Sequence, residues 1–349
     1  MTLRRALRLL VCWRVGAAGL HSQRLRVVSW NVHAFRDSNH EDNLERVTRA
    51  LAALEPDVVL LNEVLHPYAG GDAAYFARVA DGRGRGWEPP AGATPAADAA
   101  ECYLHRLSAA LGLRHVAFAE AERDDCFFGR FGFGNALLSR TPLAARGELA
   151  LRARAGDELL GDQARDFVEG RSMVWGRVAL AGGATVTLAA AHFDHKAEPV
   201  RAKQAAACAA ELARAAAEPG GLGRALLAGD LNAFERRDHD DAAWRAIVEF
   251  YASRGWGAPA ETSAALETLR DAGFVDARAS AADAADGLGP TCWTHRPLFR
   301  IDHALLSPAL AACAEVVRYA RVLDDASDHY AICVDLEFPV DSTGDPDRS

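Results

Sequence analysis

Short apolar runs alternate along the chain with segments of helical periodicity. The runs LRVVSW (residues 25–30) and DVVLLN (57–62) predict two buried strands. Between them, apolar residues recur at three- and four-residue intervals over residues 43–54, which predicts an amphipathic helix that ends before Pro56. The first part of the chain should therefore form a strand, a helix and a second strand.

Similar patterns continue to the end of the chain. They predict strands at residues 114–119, 134–139, 171–180, 185–192, 225–229, 291–294, 301–307 and 331–338, and helices at 100–111, 198–217, 240–253 and 263–272. Gly and Pro crowd residues 69–99, which indicates a long surface loop.

The arrangement of these elements predicts the fold class. The strands at 171–180 and 185–192 flank the turn AGGA and indicate an antiparallel hairpin. Strands outnumber helices, and hairpins are mixed with crossovers. We therefore expect an α/β fold in one domain, with two mixed β-sheets packed face to face and helices outside, a four-layer α/β sandwich.

Composition narrows the class of protein. The chain has 349 residues, of which 50% are hydrophobic, and no stretch approaches the roughly 18 uninterrupted apolar residues of a membrane span. Its seven cysteines are odd in number and contain no CxxC pair, so neither a disulfide framework nor a zinc cluster is expected. A soluble, intracellular protein is the expectation.

Charged residues are unevenly distributed along the chain. The net charge is −9, yet no acidic residue precedes Asp37. Residues 1–23 form a basic extension that resembles a mitochondrial or plastid transit peptide; a disordered extension or a misjudged start site are the alternatives. We expect a domain over residues 24–339 and a polar, disordered tail over 340–349. The acidic remainder argues against a broad nucleic-acid-coating surface but leaves room for a local basic groove.

Polar side chains stand at the ends of six apolar runs. These are Asn31, Glu63, His192 with Asp194, Asp230 with Asn232, Asp302 with His303, and Asp328 with His329. Alternate strand residues share a face, so Asp230 and Asn232 should project together. Each residue alone is more simply a turn former, a cap or a solvated side chain. Together they predict one shared site, because buried charges require partners or a metal.

The order and spacing of these motifs resemble those of the endonuclease/exonuclease/phosphatase superfamily, which has the deoxyribonuclease-I-like fold. The resemblance runs from Val27 to about Phe338, through SWNVHAF, LNEV, GNALLSR, EGRSMVWGRV, AHFDH, GDLNAF, RIDHALLS and SDHYAI. It implies hydrolysis of a phosphoester bond by a metal-dependent enzyme. Each motif is weak alone, and the set is specific for the superfamily but not for any one member.

The resemblance also implies a metal site. Asn31 and Glu63 would bind a divalent cation, Mg²⁺ or alternatively Mn²⁺, and Asp328 would support the metal or its waters. His33 lies where several relatives carry an aspartate that assists the metal, which leaves the metal affinity open. Asp230 would align and deprotonate the attacking water.

The remaining roles concern the phosphate. Asn232 would donate a hydrogen bond to the scissile phosphate, and His192 would donate to it in the transition state. His329 would contact a phosphoryl oxygen, and Asp302 would favour the charged form of that imidazole. Asn135 is either a phosphate or substrate contact or a strand-end cap.

The substrate is less defined than the reaction. We expect a Mg²⁺-dependent phosphodiesterase or nuclease; a phosphatase acting on inositol phosphate or lipid and a catalytically silent phosphate-binding module are the alternatives. Subfamily signatures are missing: GDLNAF and RIDHALLS match neither inositol-polyphosphate 5-phosphatases nor tyrosyl-DNA phosphodiesterases. A phosphoester, including nucleic acid, is the expected partner of a monomer. Trp244 and Tyr251 could stack on bases, but core packing is the simpler interpretation at helical spacing.

Overall fold

The structure is a computed structural model. It describes residues 21–39, 41–66, 103–122, 132–151, 170–180, 183–216, 223–284 and 289–340. The loop predicted at residues 69–99, most of the basic extension and nearly all of the polar tail lie outside these ranges.

Two six-stranded sheets form the centre of the described chain. The first contains β1 (His21–Asn31), β2 (Val58–His66), β3 (His115–Glu122), β4 (Gly132–Ser139), β11 (Glu315–Val322) and β12 (Ala331–Val340), in the order β11-β12-β1-β2-β4-β3. The second contains β5 (Leu143–Ala150), β6 (Ser172–Ala179), β7 (Thr185–His192), β8 (Ala225–Asp230), β9 (Val275–Asp276) and β10 (Asp302–Leu306), in the order β5-β6-β7-β8-β10-β9.

Both sheets are mixed. The β1–β2 and β7–β8 pairs are parallel, and the other pairs are antiparallel. The predicted hairpin is confirmed by the β6–β7 register, which runs from Ser172 opposite His192 to Ala179 opposite Thr185.

Helices pack around the two sheets. They are α1 (Leu44–Leu54), α2 (Tyr103–Leu111), α3 (Glu198–Ala215), α4 (Asp241–Ser253), α5 (Ala264–Asp271), α6 (Ala277–Ser280) and α7 (Pro308–Cys313), with 3-10 turns at His33–Phe35 and Arg236–Asp238. Asp240 and Ser263 begin α4 and α5, because their side chains accept hydrogen bonds from backbone N–H groups of the first turn. None of the described helices is long and apolar enough to cross a membrane.

Successive apolar side chains of a strand pack on opposite faces of its sheet, and each face contacts a different layer. Val27 of β1 packs in the core between the sheets, whereas its neighbour Val28 packs outward in a cluster with Leu51 of α1 and Leu107 of α2. On the other side, Leu212 of α3 belongs to the cluster on the outer face of the second sheet. The order helices, sheet, sheet, helices is the predicted four-layer sandwich.

Several predicted boundaries change. Residues 291–294 are not a strand, because Cys292 makes only isolated bridges, to Phe299 and His329. Strands β5, β9 and β11 were not predicted. In β5, intermediate and exposed residues alternate without a buried apolar face, and β9 is only two residues long. His21 pairs with Val340, so three residues of the predicted extension and the first residue of the predicted tail belong to the first sheet.

Candidate active site

Polar side chains from both sheets meet at one edge of the sandwich. Asn31 ends β1 and Glu63 lies in β2, whereas His192 ends β7 and Asp230 ends β8. Asp302 begins β10 directly opposite Asp230 in the antiparallel register. Because the two sheets pack face to face, residues far apart in sequence are brought into one cluster.

Asp230 lies at the centre of this cluster. Its Oδ2 atom accepts a hydrogen bond from Asn31 Nδ2 at 3.1 Å and lies 3.5 Å from His192 Nε2 and 3.7 Å from His329 Nε2. Asn31 Nδ2 also donates to Glu63 Oε1 at 3.0 Å. The first sheet and the second sheet are therefore joined through the side chains that were predicted to act together.

A bulge in β2 sets the direction of Glu63. The β2–β4 register shifts between Leu61 and Val64, and Glu63 adopts a left-handed backbone conformation with φ 56°. A bulge changes the direction in which a side chain leaves the strand. Glu63 thereby reaches Asn31 and lies 3.9 Å, Oε1 to Nε2, from His192.

Asp302 and His329 form a hydrogen-bonded pair. His329 Nδ1 lies 2.8 Å from Asp302 Oδ2. The backbone N–H of Asp302 donates to Thr291 Oγ1 at 3.1 Å, so Thr291 helps to hold the carboxylate in place. Sequence reasoning assigned no role to Thr291.

Asn232 departs from the geometry predicted for it. Strand β8 ends at Asp230, and Asn232 lies in the following loop with a left-handed φ of 48°. The prediction that both side chains project from one strand face is therefore wrong. The backbone N–H of Asn232 donates to Asp230 Oδ1 at 3.0 Å, and its side-chain Nδ2 donates to the Phe193 carbonyl at 3.0 Å.

Asn62 holds the backbone at Asp230 through side-chain hydrogen bonds. Its Oδ1 accepts from the backbone N–H of Asp230 at 2.9 Å, and its Nδ2 donates to Ala191 O and to Asn135 Oδ1. A Cβ at Gly229, whose φ is 137°, would lie 2.1 Å from the Ala191 carbonyl oxygen and 2.9 Å from Asn62 Oδ1. The glycine before Asp230 is required by this close approach.

Asn135 belongs to the same supporting network. Its side chain is only 1% exposed. Its Oδ1 accepts from Asn62, and its Nδ2 donates to the backbone carbonyl of Ser172 at 2.7 Å and to Ser172 Oγ at 2.9 Å. The predicted role as a substrate contact is thus corrected, because these bonds use its amide inside the protein to link β4 to β6.

Arg171 is a site residue that sequence reasoning missed. This buried arginine directly precedes β6 and places Nη1 3.5 Å from His192 Nδ1 and Nη2 3.0 Å from His195 Nδ1. The available signal was its position in the motif EGRSMVWGRV. Since Arg171 can only donate, His192 Nδ1 is the accepting nitrogen and the proton lies on Nε2, which faces Asp230.

Asp328 and His33 lie at the border of the cluster. His33 Nδ1 is 3.8 Å from Asp328 Oδ1, and the backbone N–H of His33 donates to Asn31 Oδ1 at 3.0 Å. Ser327 Oγ donates to the Asn31 carbonyl at 2.7 Å. The chain segments that carry Asn31 and Asp328 are therefore held together.

Burial and charge shift the pKa of the central acid. Burial raises the pKa of Asp230 to about 7; His329 opposes this rise, and the carboxylates of Asp302 and Glu63 add to it. A carboxylate with this pKa can accept a proton near neutral pH more readily than an ordinary aspartate.

The two histidines shift in opposite directions. Burial lowers the pKa of His192 to well below its usual value, and the nearby charges of Arg171 and His329 lower it further. Burial would also lower the pKa of His329, but the nearby carboxylates, Asp302 first among them, raise it well above the usual value. Near pH 7, His192 is therefore neutral and His329 is charged.

The donor set fits a divalent cation. Carboxylate oxygens of Glu63 and Asp230 lie within 4.8 Å of one another, as do those of Asp230 and Asp302. The facing nitrogens of His192 and His329 carry protons, so the carboxylates are the candidate ligands. The carboxylates outnumber the charged imidazole of His329, so the cluster carries excess negative charge. Oxygen-rich groups with excess negative charge suit a hard cation.

A sequence model of the Endonuclease/Exonuclease/phosphatase family matches residues 28–329. The chain therefore belongs to this family, whose members are phosphoester hydrolases that generally depend on a divalent metal. The predicted family and fold class are confirmed. No curated protein matches the sequence.

Solved structures of the family share the fold. A family protein from Beutenbergia cavernae is 22% identical, with a TM-score of 0.60, over 91% of this chain and 72% of that one. A mannosyl-6-phosphatase from Bacteroides thetaiotaomicron is 17% identical, with a TM-score of 0.54, over 89% of this chain and 99% of that one. D. rerio TDP2 complexed with a single-strand DNA product is 17% identical, with a TM-score of 0.50, over 90% of this chain and 99% of that one.

Proposed function

We propose that this protein is a Mg²⁺-dependent phosphodiesterase that cleaves a phosphoester bond by in-line attack of a water molecule activated by Asp230. The observation that carries the proposal is the convergence of Asn31, His192 and His329 on one oxygen of the Asp230 carboxylate. Burial raises the pKa of this carboxyl group to about 7, which suits a general base.

The surrounding residues position the phosphate. His329, kept charged by Asp302 at 2.8 Å, donates from Nε2 to a phosphoryl oxygen. His192 donates from its own Nε2, because Arg171 directs the accepting nitrogen away from Asp230. Asn232 is held beside Asp230 and supplies an amide donor to the scissile phosphate.

Asn31 and Glu63 would hold the cation, and Asp328 would support it or its waters. When bound, the cation neutralises charge on the phosphate or the leaving oxygen. Mn²⁺ has the same oxygen preference and is the alternative ion. The carboxylate of Glu63, whose ligand atom lies within 4.8 Å of that of Asp230, supports this assignment.

The shifted pKa of Asp230 also favours a hydrolase over a silent phosphate-binding module. A module needs donors for phosphate, but it does not need a buried carboxylate whose ionisation is costly. A mannosyl-6-phosphatase and a DNA-bound TDP2 share this fold, so the test includes both monoesters and diesters.

Hydrolysis by the full chain with Mg²⁺ tests the proposal. Substrates are abasic duplex DNA, single-stranded DNA and RNA, 5′-tyrosyl DNA, inositol phosphates, sphingomyelin and a generic aryl phosphodiester. Asp230→Asn is the matched control, because it removes the base while keeping the shape. Turnover of a diester that is lost in the control supports the proposal; turnover of monoesters alone replaces the phosphodiesterase with a phosphatase. Equal activity in both proteins would refute Asp230 as the base.

A further inference from the structure

A cluster of aromatic rings lies beside the segments that carry Asn232 and His329. Neighbouring rings in this aromatic cluster have centroids 5.2 to 6.4 Å apart. Its members are Phe234, Trp244, Phe250, Tyr251, Trp293 and Phe299. Phe250 and Phe299 are buried and form its base, whereas Trp293 is partly exposed.

The cluster adjoins the catalytic residues through the backbone. Phe234 follows Asn232 by two residues. Trp293 lies between Cys292, which forms an antiparallel bridge with His329, and Thr294, whose N–H donates to the Asp328 carbonyl at 2.8 Å. Trp293 is thus carried on a segment that runs along the loop containing His329.

The surroundings of Trp293 suit a planar ligand. Phe250 and Phe299 meet its ring in edge contacts at 5.4 and 5.6 Å, and the exposed His295 lies nearly parallel to it at 6.3 Å. Aromatic rings favour offset stacking with other planar rings. A supported and partly exposed tryptophan next to a phosphate site is suited to hold the base of a nucleotide.

Charge distinguishes a small ligand from a polymer. Residues 232–256, which carry four of the rings, contain four arginines and five acidic residues. Arg236 forms an ion pair with Asp241, and Arg237 forms one with Glu235. Tracking a long phosphate backbone requires clustered positive charge. This segment has aromatic rings on which a ligand could stack but no net positive charge. A ligand with few phosphates is therefore favoured over a nucleic-acid polymer.

We propose that Trp293 stacks on the planar aromatic ring of a small phosphoester, of mononucleotide size, whose phosphate lies at His329 and Asn232. This inference names a substrate class for the proposed function and rests on it. Trp293 is then a specificity residue, and the non-phosphate part of the substrate is recognised by its aromatic character.

Binding of matched phosphomonoesters tests the inference. Calorimetric titrations use the full chain carrying Asp230→Asn, with Mg²⁺, and the ligands adenosine 5′-monophosphate, ribose 5-phosphate, phenyl phosphate and mannose 6-phosphate. We expect the adenosine ligand to bind about tenfold or more tighter than ribose 5-phosphate. Adding Trp293→Leu should remove this difference and leave ribose 5-phosphate binding unchanged, which also reports an intact fold.

Two further variants sharpen the test. Trp293→Phe should keep part of the preference for an aromatic ligand. Trp256→Leu, at a 55% exposed ring that contacts Phe250 and Tyr251, is the matched control and should keep all of it. Equal binding of the adenosine and ribose ligands, or preferential binding of mannose 6-phosphate, would overturn this inference but not the proposed function. No binding of any of these ligands would overturn the inference, and the proposed function is overturned with it only if the diesters of the panel above are also not hydrolysed.

Discussion

Two buried charged clusters adjoin β10, and they differ in how their charges balance. In the first, Arg300 is 2% exposed and donates to Asp238 at 3.1 Å and Asp276 at 2.7 Å, while Arg278 pairs with Asp238. In the second, the cluster around Asp230, the carboxylates of Asp230, Asp302 and Asp328 surround His329. One cluster pairs each carboxylate with a guanidinium, and the other does not.

The pKa shifts follow this difference. Burial would raise the pKa of Asp238 and of Asp276, but the nearby positive charges, Arg300 first, lower both. Burial raises the pKa of Asp230 to about 7, and the charge of His329 does not reverse the rise. Paired carboxylates therefore stabilise the fold, whereas the unbalanced carboxylate is available for proton transfer.

The largest expected effect on catalysis is that of Asp230→Asn. Removing the general base should reduce kcat by about 10³- to 10⁴-fold, at the upper end of general-base contributions. Steady-state kinetics with a substrate of the panel that the wild type turns over measures it, and circular dichroism checks the fold. A fall smaller than tenfold in a folded variant would contradict the role of Asp230.

Arg300→Leu should act on stability. It leaves Asp276 without its guanidinium and Asp238 with Arg278 alone, which costs about 3–5 kcal/mol of unfolding free energy. Urea denaturation measures this loss, and Arg245→Leu, at an exposed arginine of α4, should change stability by no more than about 0.5 kcal/mol. Equal stability of the two variants would show that the balanced cluster contributes nothing.

Asp302→Asn should change the pH profile. The raised pKa of His329 means that its charged form is present below that pKa and is lost as the pH rises through it. Without the Asp302 carboxylate this pKa falls, so the alkaline loss of activity should move to lower pH, with kcat about 10²-fold lower at alkaline pH. An unchanged alkaline limit would show that His329 does not act as the charged donor.

Asn135→Ala has the smallest expected effect on catalysis. It leaves Asn62 Nδ2 without one acceptor and Ser172 without a donor, which should cost about 1–3 kcal/mol of stability. KM should stay unchanged if Asn135 only supports Asn62. A clear rise in KM with unchanged stability would instead restore the role as a substrate contact.

Much of the fold was accessible from the sequence, because buried strands and amphipathic helices carry clear apolar periods. Strand β7 was predicted to the residue. The edge strand β5 was not, because alanine and glycine give it a weak strand pattern and its exposed positions carry no apolar stripe.

The site was predicted as a set of residues, but its geometry was not. Strand-end positions and motif order brought Asp230, Asp302 and His329 together correctly. Asn232 and Asn135 were misplaced, because the end of β8 and the hydrogen-bond partners of a buried amide depend on packing between the sheets. Arg171 was missed because its only signal was its place in the motif EGRSMVWGRV, which does not show that its side chain reaches His192.

The central claim is that Asp230 is a buried base whose ionisation is costly. Thermal unfolding of chelator-treated wild-type and Asp230→Asn protein between pH 4 and pH 9 tests it most directly. Because the folded pKa is raised to about 7 from the usual value of 3.8, the wild type should lose stability relative to the variant as the pH rises between these values. The Tm difference should then level off above about pH 7. Parallel Tm curves across this range would contradict the claim.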